Sequence, residues 1–86
     1  MKTLLEMANI LEENILKLYK EVGEEEVNLS LEYKSSSVTI GIIYPKHIDS
    51  IFTGILPLIN KLKFENNITE YNLSISSLKL KVSLFK

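Results

Sequence analysis

The sequence predicts an α+β fold: a two-layer sandwich in which a four-stranded antiparallel sheet carries both helices on one face. Three observations predict it. Apolar residues first recur at helical spacing, then alternate strictly, and the order of these patterns along the chain is helix, strand, strand, helix, strand, strand. Eighty-six residues, 45% hydrophobic and 24% charged, suit one domain spanning residues 1–86, with a small core.

The first helix has both its ends written in the sequence. Thr3-Leu4-Leu5-Glu6 fits a capping box, and Gly23 supplies a left-handed residue to close the helix at Val22. Between them Leu4, Ala8, Leu11, Ile15, Leu18 and Val22 recur at steps of four and three, with Leu5, Ile10, Leu16 and Tyr19 widening the stripe. That width suits packing on a sheet better than the narrow seam of a coiled coil.

After the acidic run Glu24-Glu25-Glu26 the period falls to two. Val27, Leu29, Leu31 and Tyr33 alternate with Asn28, Ser30 and Glu32, the mark of a strand with one wet face. Lys34-Ser35-Ser36 reads as a hairpin turn, and Val38 to Tyr44 as the second strand, stopped by Pro45. Pro45 also suits the first position of the next helix, where its missing N–H costs nothing. Ile48, Ile51, Phe52, Ile55, Leu58, Ile59 and Leu62 form its stripe. Pro57 interrupts that stripe, and in a helix interior it would cost about 3 kcal/mol, so the helix is expected to end or kink near Leu56. Tyr71, Leu73 and Ile75, then Leu78, Leu80, Val82 and Leu84, supply the arms of a second hairpin. No proline guards the last strand, which is expected to lie open for edge pairing.

The chemistry of reactive sites is thinly represented. There is no Cys, Trp or Arg and a single His, so disulfides, thiolate nucleophiles and cysteine zinc sites are excluded. His47, with Tyr44 and Asp49 near it, is the one place a small enzyme or ligand-binding domain could be built, but no second His or Cys completes a metal shell. Catalytic, cofactor and metal sites are therefore all expected to be absent. Charge is uneven: Met1–Tyr33 holds three Lys and eight Glu, net −5, and Lys34–Lys86 holds seven Lys and three acids, net +4. Such asymmetry steers a partner or orients a second copy. Lys34, Lys61, Lys63, Lys79, Lys81 and Lys86 could neutralise phosphates, but without arginine or paired aromatics a stand-alone nucleic-acid reader is not expected. No apolar run is long enough to span a bilayer, and the acidic N-terminal stretch does not read as a secretory signal; a cytoplasmic protein without membrane contact is expected.

The run VTIGIIYPKHIDSIFTGILPLI from Val38, followed after a loop by YNLSISSLKLKVSLF from Tyr71, resembles the small dimer-forming subunit of the KEOPS complex. In that family a strand feeds a helix closing on a Leu-x-Pro type motif, and a hairpin and a final helix follow. Here Leu58-Ile59 stand where the family carries an acidic pair, and the first helix would take the place of the family's last one. The resemblance implies a non-catalytic subunit without cofactor, supporting threonylcarbamoyl modification of tRNA adenosine. It implies docking on the catalytic subunit through the helix bearing Ile51, Ile55, Leu56 and Pro57. It also implies pairing into a homo- or heterodimer through a sheet surface bearing Lys79, Lys81, Ser83 and Phe85, with weak tRNA contact inside the assembly. The roadblock-like scaffold proteins share the helix, strand, strand, helix order and offer the alternative of a dimeric scaffold.

Overall fold

Helix α1 runs Leu4–Glu21 in a computed structural model that describes Met1–Lys86. Its first turn is closed reciprocally. The Glu6 amide donates to the Thr3 hydroxyl at 3.1 Å and the Thr3 amide donates to the Glu6 carboxylate at 3.0 Å. Hydrogen bonding to the carboxylate by the Thr3 amide, and next by the Thr3 hydroxyl, lowers the Glu6 carboxyl pKa. Gly23, at φ +86°, ends the helix in the left-handed region. The buried stripe is Leu4, Met7, Ala8, Leu11, Ile15 and Tyr19, whereas Leu5, Leu16 and Val22 are exposed.

Strands β1 (Asn28–Tyr33) and β2 (Ser37–Ile43) form one hairpin, β3 (Glu70–Ile75) and β4 (Lys79–Phe85) the other. All pairings are antiparallel, and the order across the sheet is β1-β2-β4-β3. The last strand is therefore central, paired on both sides, and the open edges belong to β1 and β3. This corrects the expectation of an unguarded final strand: alternation in the sequence shows which face a residue occupies but not which strand lies beside it. Leu78 is likewise not part of β4. It sits exposed in the turn, where the Ser76 hydroxyl accepts from the amides of Leu78 and Lys79. Neither hairpin turn contains a positive φ, so both avoid the primed geometries that call for Gly or Asn.

Helix α2 runs Ile48–Glu65 and passes through Pro57 without ending. The helix does not end near Leu56, because Ile51, Ile55, Ile59 and Leu62 lie on one buried face that spans the proline, while Pro57 itself is exposed. Burial on both sides of the defect outweighs one lost hydrogen bond. Pro45 does not start the helix: the cap position is His47, held at φ +53° with no side-chain bond to the first turn.

The two halves of the chain share one plan. Adding 42 to a residue number carries β1 onto β3 and β2 onto β4, and it carries the β1–β2 register (Asn28 opposite Ile43) onto the β3–β4 register (Glu70 opposite Phe85). At the centre Ile40 faces Val82, its own counterpart under the same shift. Even the flanking bonds correspond, with Tyr44 N–H donating to the Leu78 carbonyl and Lys86 N–H to the Ser36 carbonyl, both at 2.9 Å. The helices match at a shift of 44, because the link into β1 is two residues longer than the link into β3. The molecule is thus two helix-hairpin units related by a pseudo-twofold axis through the middle of the sheet.

Both helices lie on the same side of that sheet. Buried side chains of α1 and α2 join Val38, Ile40, Ile42, Leu80, Val82 and Leu84 in one cluster. Helix α1 packs over β2 and α2 reaches β3, and the helices meet where Gly54 leaves room for the Leu18 methyls. Two outcomes follow from this packing. Ile40→Ala should lower stability by about 2–5 kcal/mol in urea unfolding, the range for removing a fully buried large aliphatic group; a loss below about 1 kcal/mol would contradict its central place. Pro57→Ala should raise the melting temperature, since alanine restores a helical amide at an exposed position; a fall would mean that the proline shapes packing.

Candidate functional site

Chemistry-bearing side chains gather at the junction between β2 and α2, beside the loop that leaves α1. Tyr44 and His47 both adopt positive φ there, at +50° and +53°, a conformation that costs energy in residues bearing a β-carbon. The loop is latched from the α1 side: the Tyr19 hydroxyl donates to the Lys46 carbonyl at 2.7 Å, and the Glu24 carboxylate lies 3.3 Å from His47 Nε2 and 3.9 Å from Lys46 Nζ. A cleft of about 170 Å³ is bounded by Tyr19, Glu24, Ile42, Tyr44 and Lys46. His47 and Asp49 border a separate, shallower depression with Ser50, and the hydrogen bond of the His47 ring goes to Glu24. Tyr44, His47 and Asp49 are thus neighbours in the chain that do not converge on a common point. No group of three His, Asp or Glu side chains is placed to hold a metal ion.

The residues expected to make a docking surface are dispersed. Ile51 and Ile55 are fully buried between α2 and the sheet and present no atoms to a partner in this fold; Leu56 is half-buried and Pro57 exposed. Helical spacing placed them on one stripe, and that stripe faces the core. Lys79, Lys81, Ser83 and Phe85 lie on the opposite side of the molecule, on the sheet face that carries no helix. The rows across that face are Ser30, Gly41, Lys81, Ser74 and then Glu32, Thr39, Ser83, Asn72. The Thr39 and Ser83 hydroxyls meet at 2.8 Å, and the Lys79 stem lies where a side chain at residue 41 would stand. The lysines do not form a stripe: Lys79 and Lys81 occupy the open sheet face, Lys61 pairs with Glu65 on α2, and Lys63 lies 5.6 Å over the Tyr71 ring.

A third region was not foreseen as a surface. Leu5, Glu12 and Leu16 share one flank of α1, at steps of seven and four. Leu18 lies on the other flank, against Gly54 of α2, so the Leu5 flank looks toward β1, the edge strand beyond β2. Leu16 borders Val27, which leads into β1. On β1 itself Leu31 and Tyr33 stand opposite the buried Ile40 and Val38, on the helix side of the sheet, but no helix covers them. Leu5, Leu16, Leu31 and Tyr33 are 45%, 47%, 42% and 55% exposed, apolar residues on that flank of α1 and on the unpaired edge strand. The available signal was the helical wheel: Leu5 and Leu16 fall beyond the centre of the stripe, too far round to reach the sheet.

Burial raises the Tyr19 phenol pKa above its ordinary 10.0, with the Glu24 carboxylate adding to the effect. A group whose folded pKa is raised contributes stability that is present below the unfolded value and lost as pH rises through the folded one. Tyr19→Phe should therefore cost about 1 kcal/mol near neutral pH by removing the bond to Lys46, and should flatten the loss of stability above pH ~10. Urea midpoints across that range check it; identical alkaline slopes for the two proteins would contradict the assignment. No protein-family model, curated protein or solved structure matches the chain, so its functional reading rests on this geometry and on the sequence.

Proposed function

We propose that this chain is a non-catalytic interaction subunit that holds a protein partner, of the accessory type that its Val38 to Phe85 segment resembles in the KEOPS complex. The observation that carries the interaction reading is the set of exposed apolar residues Leu5, Leu16, Leu31 and Tyr33 beside an open strand edge. The fold does not need leucine at the α1 positions. Their counterparts in the second unit, at a shift of 44, are Asp49 and Asn60, polar residues on an equivalent helix flank. Apolar groups on a surface that the same architecture builds with polar ones support a binding role. The strand, helix and hairpin order of β2, α2, β3 and β4 agrees with the resembled family, and the specific role in threonylcarbamoyl modification of tRNA adenosine is the form of this proposal that the sequence favours.

Association with a second copy is the other form. Lys79 and Lys81 on the open sheet face are the groups available to touch RNA within an assembly. Purifying the tagged chain from its own cells under mild salt tests the proposal. The expected result is a stoichiometric protein partner, with tRNA-modifying activity in the eluate, and loss of that partner from a Leu31→Glu variant that keeps the wild-type circular dichroism. A partner without such activity would turn the reading to a scaffold of the roadblock-like kind. A chain that sediments as a monomer at every concentration and retains nothing would end the interaction reading.

A further inference from the structure

Resting on the interaction reading above, we infer that the exposed apolar surface of α1 and the edge of β1 take an extended, basic segment of a partner protein, added to the sheet as a fifth strand beside β1. The edge specifies the backbone of the occupant. β1 pairs with β2 on one side only, so alternate N–H and C=O groups on its outer side are free to form a ladder, which an extended segment satisfies and a helix does not. The exposed Leu31 and Tyr33, on the helix side of β1, and Leu5 and Leu16, on the outer flank of α1, specify alternate apolar side chains on the face turned toward α1.

Glu12 specifies the charge. It lies between Leu5 and Leu16 on the same flank, is half-buried, and no lysine of this chain comes within ion-pair distance of it. Its counterpart in the second unit is Leu56, also half-buried, so the architecture accepts an apolar residue there and the first unit carries a carboxylate instead. Near Leu16 and Val27 stand Lys20, Glu25 and Glu24, the last already facing Lys46 and His47, so Glu12 is the carboxylate left for an incoming cation. A carboxylate set among leucines is best satisfied by a Lys or Arg delivered with the incoming strand, whose stem packs on Leu16 while its charge reaches Glu12. A second copy entering by its own β1 brings no basic residue within that strand, and Lys34 just beyond it is paired with Glu32, so it would leave Glu12 unsatisfied.

A displayed library of random short peptides, selected on the folded full-length chain, tests the inference. Enriched peptides are expected to alternate apolar residues and to carry a central Lys or Arg. Labelled with a fluorophore, they should bind at least about tenfold more weakly to Glu12→Gln and to Leu16→Ser than to the wild type. Ile75→Ser at the opposite edge and Lys81→Ala on the open face should bind as the wild type does. Amide exchange of Asn28–Tyr33 should slow in the complex. Peptides that ignore Glu12 and protect β3 or the open face overturn this assignment while leaving the interaction reading standing. Enriched peptides with helical spacing, or dimerisation of the chain through β1, overturn it in the same way. Failure to enrich any binder overturns it, and if the tagged chain also recovers no partner, the interaction reading falls with it.

Discussion

The pairing of β2 with β4 is the constraint on which the rest of the molecule depends. A lone helix-hairpin unit cannot bury one face of two strands and a helix of this length well enough to stand alone. Joining two such units through their inner strands makes a sheet of four and brings the helices side by side over its centre. The register places Ile40 against Val82, and from that pair outward each strand pairing in one half has a counterpart in the other. The position of each helix, the identity of the edge strands and the direction of the open face all follow from it. Because the axis is perpendicular to the sheet, both helices fall on the same side, and one face of the sheet is left for polar rows.

Within this common plan the two units are finished differently. Thr3 and Glu6 cap α1 with side chains, whereas α2 begins on a left-handed His47 without a capping bond. The first unit leaves its helix through Gly23 and the second through Asn67, each at positive φ, the two residue types that adopt this conformation most readily. The weaker start of α2 is held from outside by the Tyr19 hydroxyl and the Glu24 carboxylate, which tie the loop before it to the end of α1. The far end of α2 is tied as well: buried Asn66 accepts from the Lys2 amide at 2.7 Å and donates to the Leu62 carbonyl at 3.0 Å. Each end of α2 is therefore fastened by the opposite terminus of α1, and helix α2 can tolerate Pro57 within its length because its position does not rest on its own hydrogen bonds alone.

Element type was legible in the sequence to the extent that local chemistry determines it. Thr3, Glu6 and Gly23 mark the ends of α1, and the change in apolar period marks each passage from helix to strand. The neighbours of each strand were not legible, since alternation reports a face and is silent about the partner; the final strand looked like an edge and is the centre. The symmetry of the halves was also hidden, because the units share apolar spacing with few identical residues, and the shift differs between helices and strands. Pro57 misled for a related reason: its cost is local and visible, while the burial that offsets it is spread over Ile51, Ile55, Ile59 and Leu62. At the surface, Leu5 and Leu16 read as part of a wide core stripe, and only the position of β1 under α1 shows that the sheet does not reach them.

The unpaired carboxylate of Glu12 bears on how two copies of this chain would meet at the open edge of β1. An open strand edge lined with leucine and tyrosine is the kind of surface on which copies of a chain pair without limit. Here Glu12 stands among the apolar residues of α1 with no basic partner, so two copies meeting edge to edge through β1 would each bring an unpaired carboxylate into a partly desolvated setting. The same charges favour an incoming strand of opposite sign. On the proposed reading, the carboxylate that disfavours self-pairing is also the one that selects an incoming strand, which would reconcile an apolar, unpaired edge with a small domain that has little stability to spare.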